Sequence, residues 1–392
     1  SSPVSNTAEM VGRAFDAGFG GVMYKSLGSS DVKIIHPSPR MSSFDTVDGR
    51  MMGVQNVEQT SDRPLADNLE DLKFLKKNWP NKVVIASIMG FARDEWRNLA
   101  LACEDCGVDG LELNFSCPHM TVEGSGMKVS HAQSLVEEYT QIVREAVDLP
   151  LIAKLTPNIT DITEPAAYAK RGGADGLSAI NTVAGLVGLS MRDFTPEPNV
   201  YGRGSISGLS GPVIKPIGLR CIAQLAQDNK LALPISGMGG IETWVDVIEY
   251  MLCGATTVQI TTGVMRYGYR IVEDILEGMS YFLEDHGFEK LTDVVGKGLP
   301  KVVPTDKLDL TRQGQAVYDL DRCIGCGQCH IVCHDAGGQC LTWDGEKRRP
   351  ELDDKRCLSC MLCSFACPMK SPPVITYKEV PGKAEIVPPV SV

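Results

Sequence analysis

Short, nearly continuous apolar runs alternate with amphipathic stretches over the first three quarters of the chain. The runs fall at residues 21–25, 82–90, 110–114, 151–156, 176–181, 234–239 and 257–262. Runs that are apolar at both odd and even positions predict strands covered on both faces, as in a parallel sheet. Between them, residues 8–17, 94–106, 132–147, 163–172, 213–226 and 243–254 space their apolar side chains as a helix does. Repeated strand–helix alternation predicts an α/β fold with a parallel sheet. Seven runs are visible where a (β/α)8 TIM barrel needs eight strands. Residues 1–3, just before the first helix, therefore read as the end of a first strand that is truncated in this chain. A doubly wound open sheet is the alternative.

The strand ends change the picture. Polar and reactive residues gather there: Lys25-Ser26, Asn114-Phe115-Ser116-Cys117, Lys154, Asn181-Thr182, Gly237-Met238-Gly239-Gly240 and Thr261-Thr262. Active sites of (β/α)8 barrels lie on that face, and phosphate groups are held there by the loops after the last two strands. Those two loops carry the glycines at 237, 239 and 240 and the pair Thr261-Thr262. Glycine lets backbone N–H groups approach a phosphate closely, so an FMN phosphate fits. Lys154, at a strand end, is a cation of the kind that stabilises a reduced, anionic flavin ring. No G-x-G-x-x-G follows a strand, which argues against a Rossmann NAD or FAD site.

Composition adds one anomaly, 14 cysteines in 392 residues, nine of them after residue 320. Eight form two runs, Cys323-x2-Cys326-x2-Cys329-x3-Cys333 and Cys357-x2-Cys360-x2-Cys363-x3-Cys367-Pro368. This is the bacterial two-cluster ferredoxin spacing, in which the fourth thiolate of each run serves the other cluster. It assigns Cys323, Cys326, Cys329 and Cys367 to one [4Fe–4S] cluster, and Cys357, Cys360, Cys363 and Cys333 to a second. Paired zinc sites or disulfides are the weaker alternatives. His334 follows Cys333 where proline would be usual. Cys340 is left over and reads as a small buried residue, as do Cys103, Cys106, Cys221 and Cys253. The expected domains are a barrel over 1–294, a linker over 295–315, a ferredoxin-type module over 316–378 and a tail over 379–392. A net charge of −11 argues against nucleic acid. No apolar run is long enough for a membrane span and no signal peptide is visible. Thiolate ligands without disulfides imply a reducing, cytoplasmic setting.

The segments 114–119 (Asn-Phe-Ser-Cys-Pro-His), 153–158 (Ala-Lys-Leu-Thr-Pro-Asn), 172–176 (Gly-Gly-Ala-Asp-Gly) and Asn181-Thr182 resemble the dihydroorotate dehydrogenase superfamily. With the ferredoxin-type runs, the chain most resembles the dihydropyrimidine dehydrogenases of that superfamily. The resemblance implies FMN contacts at Ser1, Lys25, Ser26, Lys154, Gly211, Met238, Gly239, Gly240, Thr261 and Thr262. It implies pyrimidine contacts at Asn56, Asn114, Ser116, Asn181 and Thr182, and a proton donor at Cys117. Asparagine suits that task, because its amide matches the carbonyl acceptors and N–H donors of uracil. The implied reaction is reduction of uracil or thymine, with hydride to C6 and a proton from the neutral Cys117 thiol to C5. Residues 120–130 read as a loop that closes over substrate. Orotate is the alternative substrate, but His119 stands where dihydroorotate dehydrogenases place asparagine, and this and the ferredoxin-type runs point away from it. A non-catalytic electron-transfer subunit is a third reading. The resemblance also implies an iron–sulfur partner subunit that binds FAD and NAD(P)H, and a homodimer of this chain within a heterotetramer.

Overall fold

The computed structural model describes residues 2–29, 33–117, 127–309 and 313–380. Ser1, His119, most of the 120–130 loop and nearly all of the expected tail lie outside the described residues. The chain divides into two compact units, Ser1–Val302 and Val303–Val392.

In the first unit all seven apolar runs are strands: β1 (Gly21–Leu27), β2 (Val83–Ile88), β3 (Gly110–Asn114), β4 (Leu151–Lys154), β5 (Gly176–Ala179), β6 (Ile235–Met238) and β7 (Thr257–Gln259). They are parallel and lie side by side in chain order. A doubly wound sheet reverses its strand order at a switch point. Here no reversal occurs, so the winding is that of a barrel. Residues Pro3–Ser5 form a 3-10 turn beside β1. Ser5 Oγ donates to the Met23 carbonyl on β1 at 2.9 Å, and Tyr269 Oη, after the short helix Thr262–Tyr267 that follows β7, donates to the Val4 carbonyl at 2.9 Å.

Helices cover the outside, because each presents an apolar stripe to the sheet. Ala8–Ala17, Arg93–Glu104, Gln133–Ala146, Thr163–Arg171, Lys215–Gln227 and Trp244–Leu252 match the predicted segments to within a few residues. Leu65–Asn78 and Ile271–His286 are further helices that the pattern did not yield. Trp96 is fully buried between Phe115 and Tyr139, with ring centroids 5.2 and 5.5 Å away.

The inner face is not the apolar layer that the runs suggested. Leu111, Leu113, Leu151 and Ala153 are buried in the core, and their neighbours on the pleat, Glu112 and Lys154, are buried too. Side chains alternate along a strand. Glu112, Lys154, Ser178, Ser236 and Gln259, from β3 to β7, therefore meet inside. Charged and hydroxyl groups stay buried there because each has a partner.

A four-stranded antiparallel sheet, Met41–Asp45, Met51–Asn56, Ser207–Ser210 and Val183–Gly185, is built from the segments after β1 and after β5. Its strands are short and half exposed, so their hydrophobic alternation is weak. Pairing of Val54 with Ser210 is a long-range event that local pattern does not report. Buried Gln55 locks this sheet. Its Nε2 donates to the Ser205 carbonyl and Ser207 Oγ, both at 2.8 Å, and its Oε1 accepts from Val187 N at 2.6 Å.

The second unit pairs Gln313–Tyr318 antiparallel with Ile375–Val380, and Leu341–Asp344 with Arg349–Leu352. Helices Gln328–Ala336 and Leu362–Ala366 each contain the third cysteine of their run, Cys329 and Cys363. Its buried cluster is largely sulfur: Cys329, Cys333, Cys340 and Cys363 with Ala316, Leu341, Val374 and Ile375.

Candidate active site and cysteine cavities

The C-terminal ends of the barrel strands surround one large cavity, about 990 Å³ with its open mouth included. That is the size range of cofactor pockets. Lys25, Ser26, Asn56, Asn114, Cys117, Lys154, Asn181, Thr182, Gly211, Met238, Gly239, Gly240, Thr261 and Thr262 all line it. Ser116 does not line it. It is fully buried behind the wall, accepting from Asn181 Nδ2 at 2.8 Å and donating to Asn114 Oδ1 at 3.1 Å. Ser1, the remaining expected contact, lies outside the described residues.

One end of the cavity is a backbone cradle. Gly240 follows β6 with φ +73°, and a Cβ there would lie 2.8 Å from the Gly211 carbonyl oxygen. Only glycine adopts this conformation in that space. Tyr250 Oη donates to the Met238 carbonyl at 3.1 Å and the Gly239 carbonyl at 2.7 Å, which fixes the turn from below. Asp246 binds Lys215 and accepts from the Glu242 and Thr243 N–H groups, tying the same loop to the next helix. Thr262 Oγ1 lies 3.0 Å from Ser210 Oγ on the facing antiparallel sheet.

The other end is a polar ring. Asn114 Nδ2 donates to Ser26 Oγ at 2.9 Å, and Ser26 Oγ lies 2.9 Å from Ser87 Oγ. Asn181 Oδ1 accepts from Thr182 N at 2.8 Å. Asn56 Oδ1 accepts from the Glu58 N–H at 2.5 Å, a turn that aims Glu58 back at Lys25. Lys25 Nζ and Glu58 Oε2 are 3.2 Å apart and both residues are buried. Burial pushes the Lys25 ammonium below the usual lysine range, with the Glu58 carboxylate and, more weakly, Cys117 pulling the other way. Cys117 is buried at the cavity wall.

Beneath the ring, Lys154 Nζ donates to Glu112 Oε2 at 3.2 Å, and Ser178 Oγ donates to Glu112 Oε1 at 2.9 Å. Burial by itself would raise the Glu112 carboxyl. The Lys154 ammonium and the Ser178 hydroxyl outweigh it and hold the group below the usual carboxylate range. Sequence reasoning missed Glu112, Glu58 and Gln259. Glu112 carried a signal, a single charge inside the apolar run 110–114, whereas Glu58 and Gln259 had none.

The cavity fits a flavin mononucleotide on its own terms. Gln59 Oε1 and Thr60 Oγ1 are buried at its wall with no hydrogen-bond partner among the described residues. Such atoms are costly unless a ligand satisfies them. The glycine cradle leaves room where a phosphate would take backbone N–H groups.

In the second unit, the cysteines surround two cavities of about 320 and 340 Å³. Cys333, Cys357, Cys360 and Cys363 line the first, and Cys323, Cys326, Cys329 and Cys367 the second. Tyr318 borders both. Among the described residues no three His, Cys, Asp or Glu side chains stand close enough to hold a single ion. Thiols spread around a cavity suit a polynuclear cluster better than a tetrahedral zinc ion.

A parallel barrel with a glycine-cradled polar cavity, joined in one chain to cysteine-lined cluster sites, defines a flavin and iron–sulfur oxidoreductase. The chain belongs to the dihydroorotate dehydrogenase family, whose profile matches residues 1–283, and a 4Fe-4S dicluster domain matches residues 316–372. It is similar to the NAD-dependent dihydropyrimidine dehydrogenase subunit PreA of Escherichia coli (strain K12), with 44% identity over 370 residues, 94% of this chain and 90% of that one. It is also similar to the chloroplastic dihydropyrimidine dehydrogenase (NADP(+)) of Arabidopsis thaliana, with 36% identity over 81% of this chain and 77% of that one. The catalytic subunit of dihydroorotate dehydrogenase B (NAD(+)) from Pyrococcus horikoshii is 36% identical over 76% of this chain and 92% of that one. No helix among the described residues is long and apolar enough to cross a membrane.

Proposed function

We propose that this chain reduces uracil and thymine to their 5,6-dihydro forms, the first step of pyrimidine catabolism, in the cytoplasm. The observation that carries this reading is the convergence of Asn56, Asn114, Asn181 and Thr182 with Cys117 on one cavity. Side-chain amides on separate loops supply donors and acceptors for both edges of a pyrimidine ring. Buried amides left unpaired penalise analogues that lack those groups. Ser116 holds Asn114 and Asn181 in register from behind.

FMN, held by the Gly239-Gly240 cradle, Gly211, Thr261-Thr262, Lys25, Ser26 and Lys154, with Ser1 as a further contact, supplies the hydride for C6 when bound and reduced. Cys117 delivers a proton to C5, so that one hydride and one proton saturate the 5,6 bond. Lys154, ion-paired from beneath with Glu112, would present its ammonium to the ring. The two cysteine-lined cavities hold two [4Fe–4S] clusters, each on the four cysteines that the spacing assigns to it. Electrons reach them from NAD(P)H through a separate FAD- and iron–sulfur-containing subunit, with this chain a homodimer inside a heterotetramer.

The test is anaerobic. The isolated chain, reconstituted with FMN and iron and reduced chemically, is mixed with uracil or with orotate. Dihydrouracil should form and dihydroorotate should not. Preferential turnover of orotate would replace this reading with the dihydroorotate one, and no turnover of either would leave the electron-carrier reading.

A further inference from the structure

Five cysteines, not four, face one of the two sulfur cavities. Cys340 lines it together with Cys333, Cys357, Cys360 and Cys363. Its Sγ lies 3.6 Å from Cys333 Sγ, within reach of a sulfur hydrogen bond, and its side chain is buried. Among the described residues, the second cavity is lined by its four cysteines.

The position of Cys340 is fixed by backbone, not by its own sulfur. The chain leaves the helix Gln328–Ala336 and folds back, so that Gly337 N and Gln339 N both donate to the Cys333 carbonyl at 3.1 Å. Asp353 N donates to the Cys340 carbonyl at 2.8 Å. The thiol is therefore held against a specific ligand position whether or not it bonds there.

Resting on the cluster reading above, we propose that Cys340 is a positioning thiol that donates an S–H hydrogen bond to the Cys333 thiolate and raises the reduction potential of that cluster. The donor assignment follows from the chemistry. A cysteine bound to iron has lost its proton, so of the two sulfurs only Cys340 can donate. A hydrogen bond to a cluster sulfur withdraws negative charge and stabilises the reduced, more negative state. The effect is confined to one of two otherwise similar clusters, which gives electrons a preferred resting place within the unit.

The experiment uses the full chain, purified anaerobically with its clusters. Iron and sulfide per chain are measured first, and midpoint potentials are then read by redox titration followed by electron paramagnetic resonance. Cys340→Ala should keep both clusters and shift one potential downward by about tenfold in its reduction equilibrium, about 59 mV for one electron. Cys340→Ser keeps an O–H donor in place and should recover most of the difference. An unchanged potential in the alanine variant, or a serine variant shifted as far as alanine, overturns the proposal with the cluster reading intact. Loss of iron in both variants also overturns it, because Cys340 would then be a ligand. Wild-type protein with iron for fewer than two clusters would instead remove the reading on which it rests.

Discussion

Replacing Glu112 by glutamine tests the buried pair beneath the cavity. Glu112 is fully buried and Lys154 is only 4% exposed, so neither charge is solvated by water. Glutamine keeps the shape and its oxygen still accepts from Ser178, but its NH2 stands where the second carboxylate oxygen accepted from Lys154, so the change removes the charge opposite Lys154 together with that hydrogen bond. Breaking a buried pair from one side costs about 3–5 kcal/mol, because the remaining ion is left uncompensated. The retained hydrogen bond favours the lower end, about 3 kcal/mol, which is roughly 150-fold in the unfolding equilibrium. The assay is equilibrium urea unfolding of the full chain by tryptophan fluorescence, since Trp79, Trp96 and Trp244 all lie in the barrel. The double variant Glu112→Gln, Lys154→Met should recover most of the loss, because well-packed neutral replacements of a buried pair are often close to neutral. The pH dependence has a definite sign. Glu112 is held below its unfolded value, so its contribution is present above the ordinary carboxylate range and fades as pH falls through the folded value. The gap between wild type and Glu112→Gln should therefore narrow below about pH 4. A single variant that loses less than about 1 kcal/mol, or a double variant weaker than the single, would refute the electrostatic account.

Other expectations are simpler to check. Cys117→Ala removes the proposed proton donor and should cut pyrimidine turnover by about 10²–10⁴-fold, with FMN content and uracil affinity retained; undiminished turnover would remove Cys117 from the mechanism. Gly240→Ala puts a Cβ 2.8 Å from the Gly211 carbonyl oxygen at φ +73° and should weaken FMN binding by about tenfold or more in fluorescence titrations. Gly188→Ala is the control, since its Cβ meets nothing within 4 Å and FMN binding should not change.

The seven barrel strands were legible because a strand covered on both faces is apolar at most positions, not only at alternate ones. The sulfur sites were legible because ligand spacing is local in sequence. Polar residues at strand ends marked the face that holds the large cavity, because each is a departure from an apolar run. The antiparallel sheet over that face was not legible. Its central pairing joins residues more than 150 positions apart in the chain, and Gln55, which locks it, looks like an ordinary polar residue until Ser207 and Val187 close around it.

By itself, then, the sequence determined the repeated strand–helix unit, the glycines and amides at its strand ends, and the two cysteine runs, all of them short-range patterns. Only the tertiary structure decided which charges meet. Glu112 faces Lys154, and Glu58 faces Lys25, because neighbouring strands and loops bring them within about 3 Å, where a buried carboxylate and ammonium stabilise each other. Tertiary structure likewise turned Ser116 from a wall residue into a support behind two asparagines. It also placed Cys340, a leftover in the count of cysteines, beside Cys333. A chain that folds back on itself sets distances that spacing along it does not encode.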